Sequence, residues 1–240
     1  MSSQRKSKLY LPRRQFLQLS GISTLGLFLG GCALDLFAYP VQLVAGPINE
    51  KVEGLLFNPQ KLAPEFTDSA IEPDSLLINT FDFTPEIDPA TFRLKIDGEV
   101  ARPLSLSLGD IKNLPRTTMT VRHICVEGWS AIVQWGGIRL QEIAALAQPS
   151  ANARYVYFQS ADGYYESWDI ASALHPQTLL AYEKNGEELP VENGAPLRLA
   201  SPIKLGYKQS KWVTRVSFLS RKPTMLGYWE DQGYEWFAGL

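Results

Sequence analysis

Apolar and polar positions change rhythm several times along this chain, and each change marks an element. Phe92-Arg93-Leu94-Lys95-Ile96 alternates with period two and predicts a strand that turns at Asp97-Gly98 toward Val100. Ser107 to Leu114 predicts a short helix, capped by Ser107 and stopped before Pro115. Thr117 to Cys125 predicts a strand running into a loop, and Leu140 to Ala147 a helix stopped before Pro149. Tyr155 to Ser160 alternates again, with Tyr164 to Ile170 as its hairpin partner and Ile170 to Leu174 as a helical turn. Leu179 to Tyr182 and Glu188-Leu189 flank Asn185-Gly186, a strong hairpin signal. Leu197 to Ala200 and Trp212 to Leu219 complete the strands. Many short strands, few short helices and long loops predict an α+β domain with mixed sheets. No regular βαβ alternation supports a Rossmann nucleotide fold.

The first residues follow another logic. Arg5, Lys6, Lys8, Arg13 and Arg14 precede an apolar stretch, Ile22 to Gly31, too short and glycine-rich for a membrane span. Arg13-Arg14-Gln15-Phe16-Leu17 is a twin-arginine signature, the address for export of folded proteins; a general secretory signal with two chance arginines is the plainer alternative. Leu29-Gly30-Gly31-Cys32 reads as a lipobox, with Cys32 lipidated as the mature N-terminus; removal of Cys32 at a later cleavage site and an uncleaved anchor are the alternatives. The expected organisation is therefore a signal over 1–31, a tether and irregular wrapping segment over 32–75, and one domain over 76–240. The protein is expected outside the cytoplasmic membrane, in the periplasm or on the membrane's outer face, touching it by the lipid alone.

Charge and cysteine content narrow the function. Removing 1–31 takes five positive charges and no negative ones, leaving 18 basic and 25 acidic residues, a net charge of −7. Nucleic acid is an unfavourable partner for such a chain. With Cys32 lipidated or removed, Cys125 is the one remaining thiol and has no disulfide partner. It is either an inert core residue or an occupied one. Arg122 and His123 stand just before it, a basic setting expected to favour the thiolate and soft metals. Only two histidines, His123 and His175, are present, too few donors for a zinc site. A cysteine-protease arrangement has no signature beyond those histidines. A single-cysteine metal site makes sense if a cofactor brings the other soft ligands.

Four motifs point that way: Arg122-His123-Ile124-Cys125-Val126-Glu127-Gly128-Trp129-Ser130, Trp135-Gly136-Gly137, Asn193-Gly194-Ala195-Pro196-Leu197-Arg198-Leu199, and Gly206-Tyr207-Lys208-Gln209-Ser210-Lys211-Trp212. In order and approximate spacing, from about Asn79 onward, they resemble the molybdopterin domain of the sulfite oxidase superfamily. Within it they look most like the catalytic subunits of bacterial periplasmic methionine-sulfoxide reductases. The resemblance implies one molybdenum–molybdopterin per chain, with Cys125 as the protein's metal ligand. It places Asn193, Arg198, Lys208, Gln209, Ser210 and Lys211 around the pterin and its phosphate, and Arg122 and His123 beside the cysteine. Ser160 falls where relatives carry a hydroxyl near the centre. Near Asn79 relatives contact the pterin through an asparagine, a tyrosine and a glutamate; here Phe81 and the shorter Asp82 replace the last two. Read alone, Lys208 and Lys211 are a solvated basic edge and Asn193-Gly194 is a turn.

The implied reaction is oxygen-atom transfer coupled to two-electron redox. Sulfite-oxidising members carry an arginine-rich loop after their cysteine, whereas this chain has Val126-Glu127-Gly128-Trp129, which disfavours an anionic substrate. A small neutral S-oxide or N-oxide fits better, with Trp129, Trp135, Trp229 and Trp236 available to wall a pocket. The tail from Gly227 to Trp236 is expected to pack over the domain. A monomer is expected, with electrons delivered by a partner such as a membrane cytochrome. The competing class is a lipid-anchored binding protein that keeps the fold without the metal.

Overall fold

A computed structural model describes residues 46 and 48–240. The leader, the lipobox and Cys32 lie outside the described residues. Contacts divide the chain into Met1–Asn49 and Glu50–Leu240, and the latter carries the fold that follows.

Among the described residues, ten strands form two sheets. The first sheet has the order β2 (Leu104–Ser107), β1 (Arg93–Gly98), β10 (Val213–Leu219), β5 (Tyr155–Ser160), β6 (Tyr165–Asp169). β1 and β10 run parallel and its other pairs antiparallel, so this sheet is mixed. The second is antiparallel: β3 (Arg116–Ile124), β4 (Ser130–Arg139), β7 (Leu179–Lys184) and β8 (Glu187–Glu188), with β9 (Arg198–Ala200) also on β7. Three short helices join them: α1 (Leu108–Lys112), α2 (Leu140–Ala147) and α3 (Ile170–Ala173). Ser107 caps α1 in a reciprocal pair with Asp110, so the cap read from the sequence forms.

Two strands escape the sequence pattern. β2 is short and its neighbouring Pro103 reads as a breaker. β4, ten residues long, is the more instructive case. One apolar cluster, including Leu94, Ile96, Ile138, Leu180 and Val216, fills the space between the sheets. A second, including Met119, Val121, Val133, Trp135 and Ala181, covers the other face of the β3–β4–β7 sheet. A strand buried on both faces has no polar alternation to display. The Gly136-Gly137 pair also reads as a break, yet both are required by close packing. A Cβ on Gly137 would lie 2.2 Å from the Leu180 carbonyl oxygen.

Residues 58–78 are mostly irregular and lie along the β3–β4 sheet. The Phe66 amide donates to Thr120 O at 2.8 Å, the Glu72 amide to Ile132 O at 2.9 Å, and Leu76 enters the second cluster.

Candidate functional site

β3 and β4 form a hairpin whose connecting loop carries Cys125. The Cys125 amide donates to Trp129 O at 2.9 Å and the Gly128 amide to Cys125 O at 3.1 Å, which fixes the loop. Cys125 lies on the wall of a cavity of about 380 Å³ and is only 9% exposed. Segment 76–81, the turn after β5, the strand β9 and residues 206–211 converge on the same cavity. Trp229 and Tyr234 bring the C-terminal tail to its rim.

Nine of the residues singled out from the sequence line this cavity: Asn79, Phe81, His123, Cys125, Asn193, Arg198, Gln209, Ser210 and Lys211. Gly194 makes one of these meetings possible. It takes φ +112°, and a Cβ there would lie 3.0 Å from the Cβ atoms of both Arg198 and Lys211. Four residues stand elsewhere. Asp82 is exposed and off the wall. Ser160 is buried behind it, its hydroxyl without a partner. Arg122 points to the opposite face of β3, where its guanidinium sits 5.3 Å from the Phe66 ring and donates to Ser130 Oγ at 3.1 Å. Alternation along a strand dictates this, since His123 faces the cavity.

Lys208 is the largest departure from the expected phosphate cradle. Its ammonium is fully buried between Glu166 and Glu230 and donates to both, and to Ser167 O at 3.1 Å. Glu230 lies in the C-terminal tail, so this ion triad fastens the tail to β6. Burial pushes the Glu166 carboxyl well above its ordinary range, against the pull of Lys208. Two acids around one buried ammonium favour keeping one of them protonated. The tail's fastening is completed by Trp236 Nε1, which donates to Ser167 Oγ at 2.8 Å.

The expectation that Arg122 and His123 favour a thiolate at Cys125 is not met. Arg122 faces away, and burial, reinforced by Arg198, lowers His123 to about 3, so the imidazole is neutral. Burial raises the Cys125 thiol, and the Glu127 carboxylate adds to this while the backbone amides of Glu127 and Val126 oppose it. Glu127 Oε2 accepts from Trp129 Nε1 at 2.9 Å, Asn79 Nδ2 at 3.1 Å and Cys125 Sγ at 3.5 Å. Those donors hold Glu127 below the usual carboxylate range, so it is an anion at the cavity. A cation bound directly to the Cys125 sulfur would favour the thiolate against these effects.

The opposite wall carries positive charge that makes no ion pair among the described residues, although Asp162 and Glu192 lie near enough to favour a charged Lys211. Buried Arg198 donates only to carbonyls, Asn193 O at 2.9 Å, Leu199 O at 3.2 Å and Gln209 O at 3.4 Å, and stacks 4.5 Å from the Trp135 ring. Burial alone lowers it to about 10. Lys211 donates to Asn79 O and Glu192 O, and burial and Arg198 bring it to about 8. Lys184, held on Asn193 Oδ1 at 3.0 Å, is lowered by burial and then by Arg198. His123 Nδ1 and Ser210 Oγ are buried without partners. A buried Arg198 that depresses two half-buried lysines, beside orphaned polar atoms, fits a polar anionic group such as a pterin phosphate. Among the described residues no three His, Cys, Asp or Glu side chains could hold a metal ion together. A metal at Cys125 would need ligands beyond these side chains, which a cofactor can supply.

Residues 82–229 match the family model of the oxidoreductase molybdopterin-binding domain. The chain belongs to this family. It is an oxidoreductase of that kind, and the two-sheet fold is the family's sulfite-oxidase type. Over 241 residues it is 41% identical to an Azospira oryzae protein provisionally named protein-methionine-sulfoxide reductase subunit YedZ1, covering 95% of this chain and 87% of that one. It is 33% identical over 248 residues to the Xanthomonas campestris protein-methionine-sulfoxide reductase catalytic subunit MsrP, covering 92% of this chain and 74% of that one. The crystal structure of sulfane dehydrogenase SoxCD from Paracoccus pantotrophus superposes with a TM-score of 0.55 at 25% identity, over 57% of this chain and 40% of that one.

Several lining residues of this molybdopterin-binding domain were not legible in the sequence. Asp162, raised by burial, accepts from its neighbour Tyr164 at 3.0 Å, and Tyr164 donates to Tyr207 O at 2.6 Å. Only the Asp162-Gly163 turn signal marks that stretch, and a turn says nothing of what it faces. His175 belongs to the interior: its ring nitrogens meet Lys61 O at 3.2 Å and the Gln177 amide at 3.1 Å. Trp135 lies beneath Arg198 and Trp236 in the tail anchor, so neither walls the cavity.

Proposed function

We propose that this chain is the catalytic subunit of an exported enzyme that reduces a neutral S-oxide or N-oxide, holding one molybdenum–molybdopterin per chain. The observation that carries the reading is Cys125, the one free cysteine among the described residues, sharing a cavity with the buried Arg198, which has no ion pair among those residues, and with Lys211. When bound, the cofactor supplies oxygen-atom transfer coupled to two-electron redox. Cys125 would be its protein ligand. Arg198 and Lys211, with the loop of Gln209 and Ser210, would take the phosphate; His123 and Asn193 would meet the pterin's polar edge. Burial of these groups keeps water from competing for them. At the mouth, Glu127 repels anionic oxo compounds such as sulfite, while Leu77, Ile78, Trp229 and Tyr234 offer apolar surface to a neutral one. Two relatives named for methionine-sulfoxide reduction support an S-oxide. Both are named as subunits, which supports delivery of electrons by a separate partner, a membrane cytochrome in our reading. Export by the twin-arginine route and lipidation of Cys32 follow from Arg13-Arg14 and Leu29-Gly30-Gly31-Cys32.

The test is molybdenum content by elemental mass spectrometry, for the parent and Cys125→Ser, followed by viologen-coupled reduction of sulfoxides and ferricyanide-coupled oxidation of sulfite. The reading expects about one metal per chain, altered in the variant, and turnover of sulfoxides only. A metal-free parent whose Cys125 alkylates freely, or sulfite oxidation without sulfoxide reduction, would overturn it.

A further inference from the structure

The second cavity, about 450 Å³, opens on the face of β3 opposite the cofactor site. Leu56, Leu62 and Leu240 line it and are 78%, 55% and 58% exposed. Leu56 ends a helical run over 50–56 that is amphipathic in an inverted sense. Its inward side carries Glu53 and Phe57, whose ring meets Phe237 at 5.6 Å. Its outward side carries Val52 and Leu55, 46% and 85% exposed, beside Leu56. Around this aliphatic surface stand Lys51, Lys61 and Arg122, none of them in an ion pair among the described residues. Arg122, which the sequence motif suggested for the cofactor, is part of this other surface.

We propose that this patch is a membrane-contact surface that lies on the bilayer, with Val52, Leu55, Leu56, Leu62 and Leu240 in the headgroup–acyl boundary and Lys51, Lys61 and Arg122 on anionic headgroups. Two observations select a lipid surface as the occupant of this apolar stripe. Lysines flank it, as they do interfacial helices, although the mature chain is acidic overall. It also stands where the chain emerges from its leader: 17 residues separate Cys32 from Glu50. Fully extended, they reach at most about 60 Å, so an anchor at Cys32 lets the patch, which begins where this segment ends, reach the bilayer. A single acyl chain holds a protein only marginally, and a second, apolar and basic contact makes attachment stable and orients the body. The surface rests on the reading of Cys32 as a lipid-attachment residue for its proximity to the membrane, but its aliphatic and basic character does not depend on it. Because the patch and the cofactor cavity occupy opposite faces of β3, seating it directs the cavity mouth away from the bilayer.

The experiment uses the full chain, purified from membranes and reconstituted in vesicles of about three parts phosphatidylethanolamine to one part phosphatidylglycerol. Leu55→Cys and, as a control, Glu188→Cys carry a spin label; the parent measures background from Cys125. Glu188 has a side chain 89% exposed, on β8. Power saturation with oxygen and an aqueous nickel chelate reads depth. The proposal expects an oxygen-to-chelate ratio about tenfold higher at 55 than at 188, smaller when phosphatidylcholine replaces phosphatidylglycerol. Equal ratios at the two positions on vesicle-bound protein would overturn it, as would spin–spin broadening between labels at 55, which would make the patch an interface between copies. Mass spectrometry of the Cys32 peptide separates the two readings. An unmodified Cys32 with a deep label removes the anchor and leaves the surface; a lipidated Cys32 with an aqueous label removes the surface.

Discussion

Replacing Lys208 by methionine separates a structural role from a cofactor-binding one. Its ammonium is 0% exposed, as are the Glu166 and Glu230 side chains it joins. Methionine keeps most of the volume and removes the charge, leaving two carboxyls facing each other with one lost donor to Ser167 O. Removing one partner of a buried ion pair costs about 3–5 kcal/mol, because the other charge is left without compensation. For a fold of this size that lowers Tm by roughly 6–20 °C, at about 2–4 °C per kcal/mol. Glu230→Gln behaves differently. It leaves one carboxyl with one ammonium and a neutral amide to accept, so the loss is about 1 kcal/mol, within the worth of an ordinary hydrogen bond. The assay is thermal unfolding by circular dichroism on metal-free protein, with molybdenum content measured in parallel on the folded fraction. Lys208→Met melting within about 2 °C of the parent while losing its molybdenum would refute the argument. Lys208 would then be a phosphate donor after all.

Arg198→Leu removes a buried cation with no ion pair among the described residues, so metal-free protein should melt within about 3 °C of the parent, since the carbonyl contacts and the stacking on Trp135 are lost but no opposite charge is stranded. Retention of the cofactor should fall roughly 10- to 100-fold, the worth of charge-assisted bonds to a phosphate, read as molybdenum remaining after dialysis. Gly137→Ala puts a Cβ 2.2 Å from Leu180 O and 2.6 Å from Ala181 Cα, so the β4–β7 ladder must shift, at a cost of about 1–3 kcal/mol in urea unfolding. Asp97 accepts from Arg215 Nε at 2.8 Å and Ser217 Oγ at 2.6 Å; burial opposes ionisation, but these partners hold the carboxyl below its ordinary value. A lowered folded value means stability that is full above about pH 4 and lost as pH falls through the folded value, so Asp97→Asn should flatten the acid limb of a Tm-against-pH curve. An unchanged acid limb would remove that assignment.

The sequence alone determined whatever is encoded over a few neighbouring residues. Leu94 and Ile96 alternate with Arg93 and Lys95 because one face of β1 is buried, and Ser107 with Asp110 announces the start of α1. Cys125 stood out as a lone thiol within a dense motif, and the four ordered motifs carried the resemblance that the family match now shows. The tertiary structure decided what depends on direction and partnership. β4 had no readable period because both its faces are buried, and its glycines mark contact with β7 instead of a turn. Arg122 and His123 are adjacent in sequence, yet the pleat sends them to opposite faces. Lys208 and Lys211, three residues apart, differ because Glu166 and Glu230, 42 and 22 residues from Lys208, claim the first, while the second reaches the cavity. A charged residue's role is set by which opposite charges share its burial, and those come from distant parts of the chain.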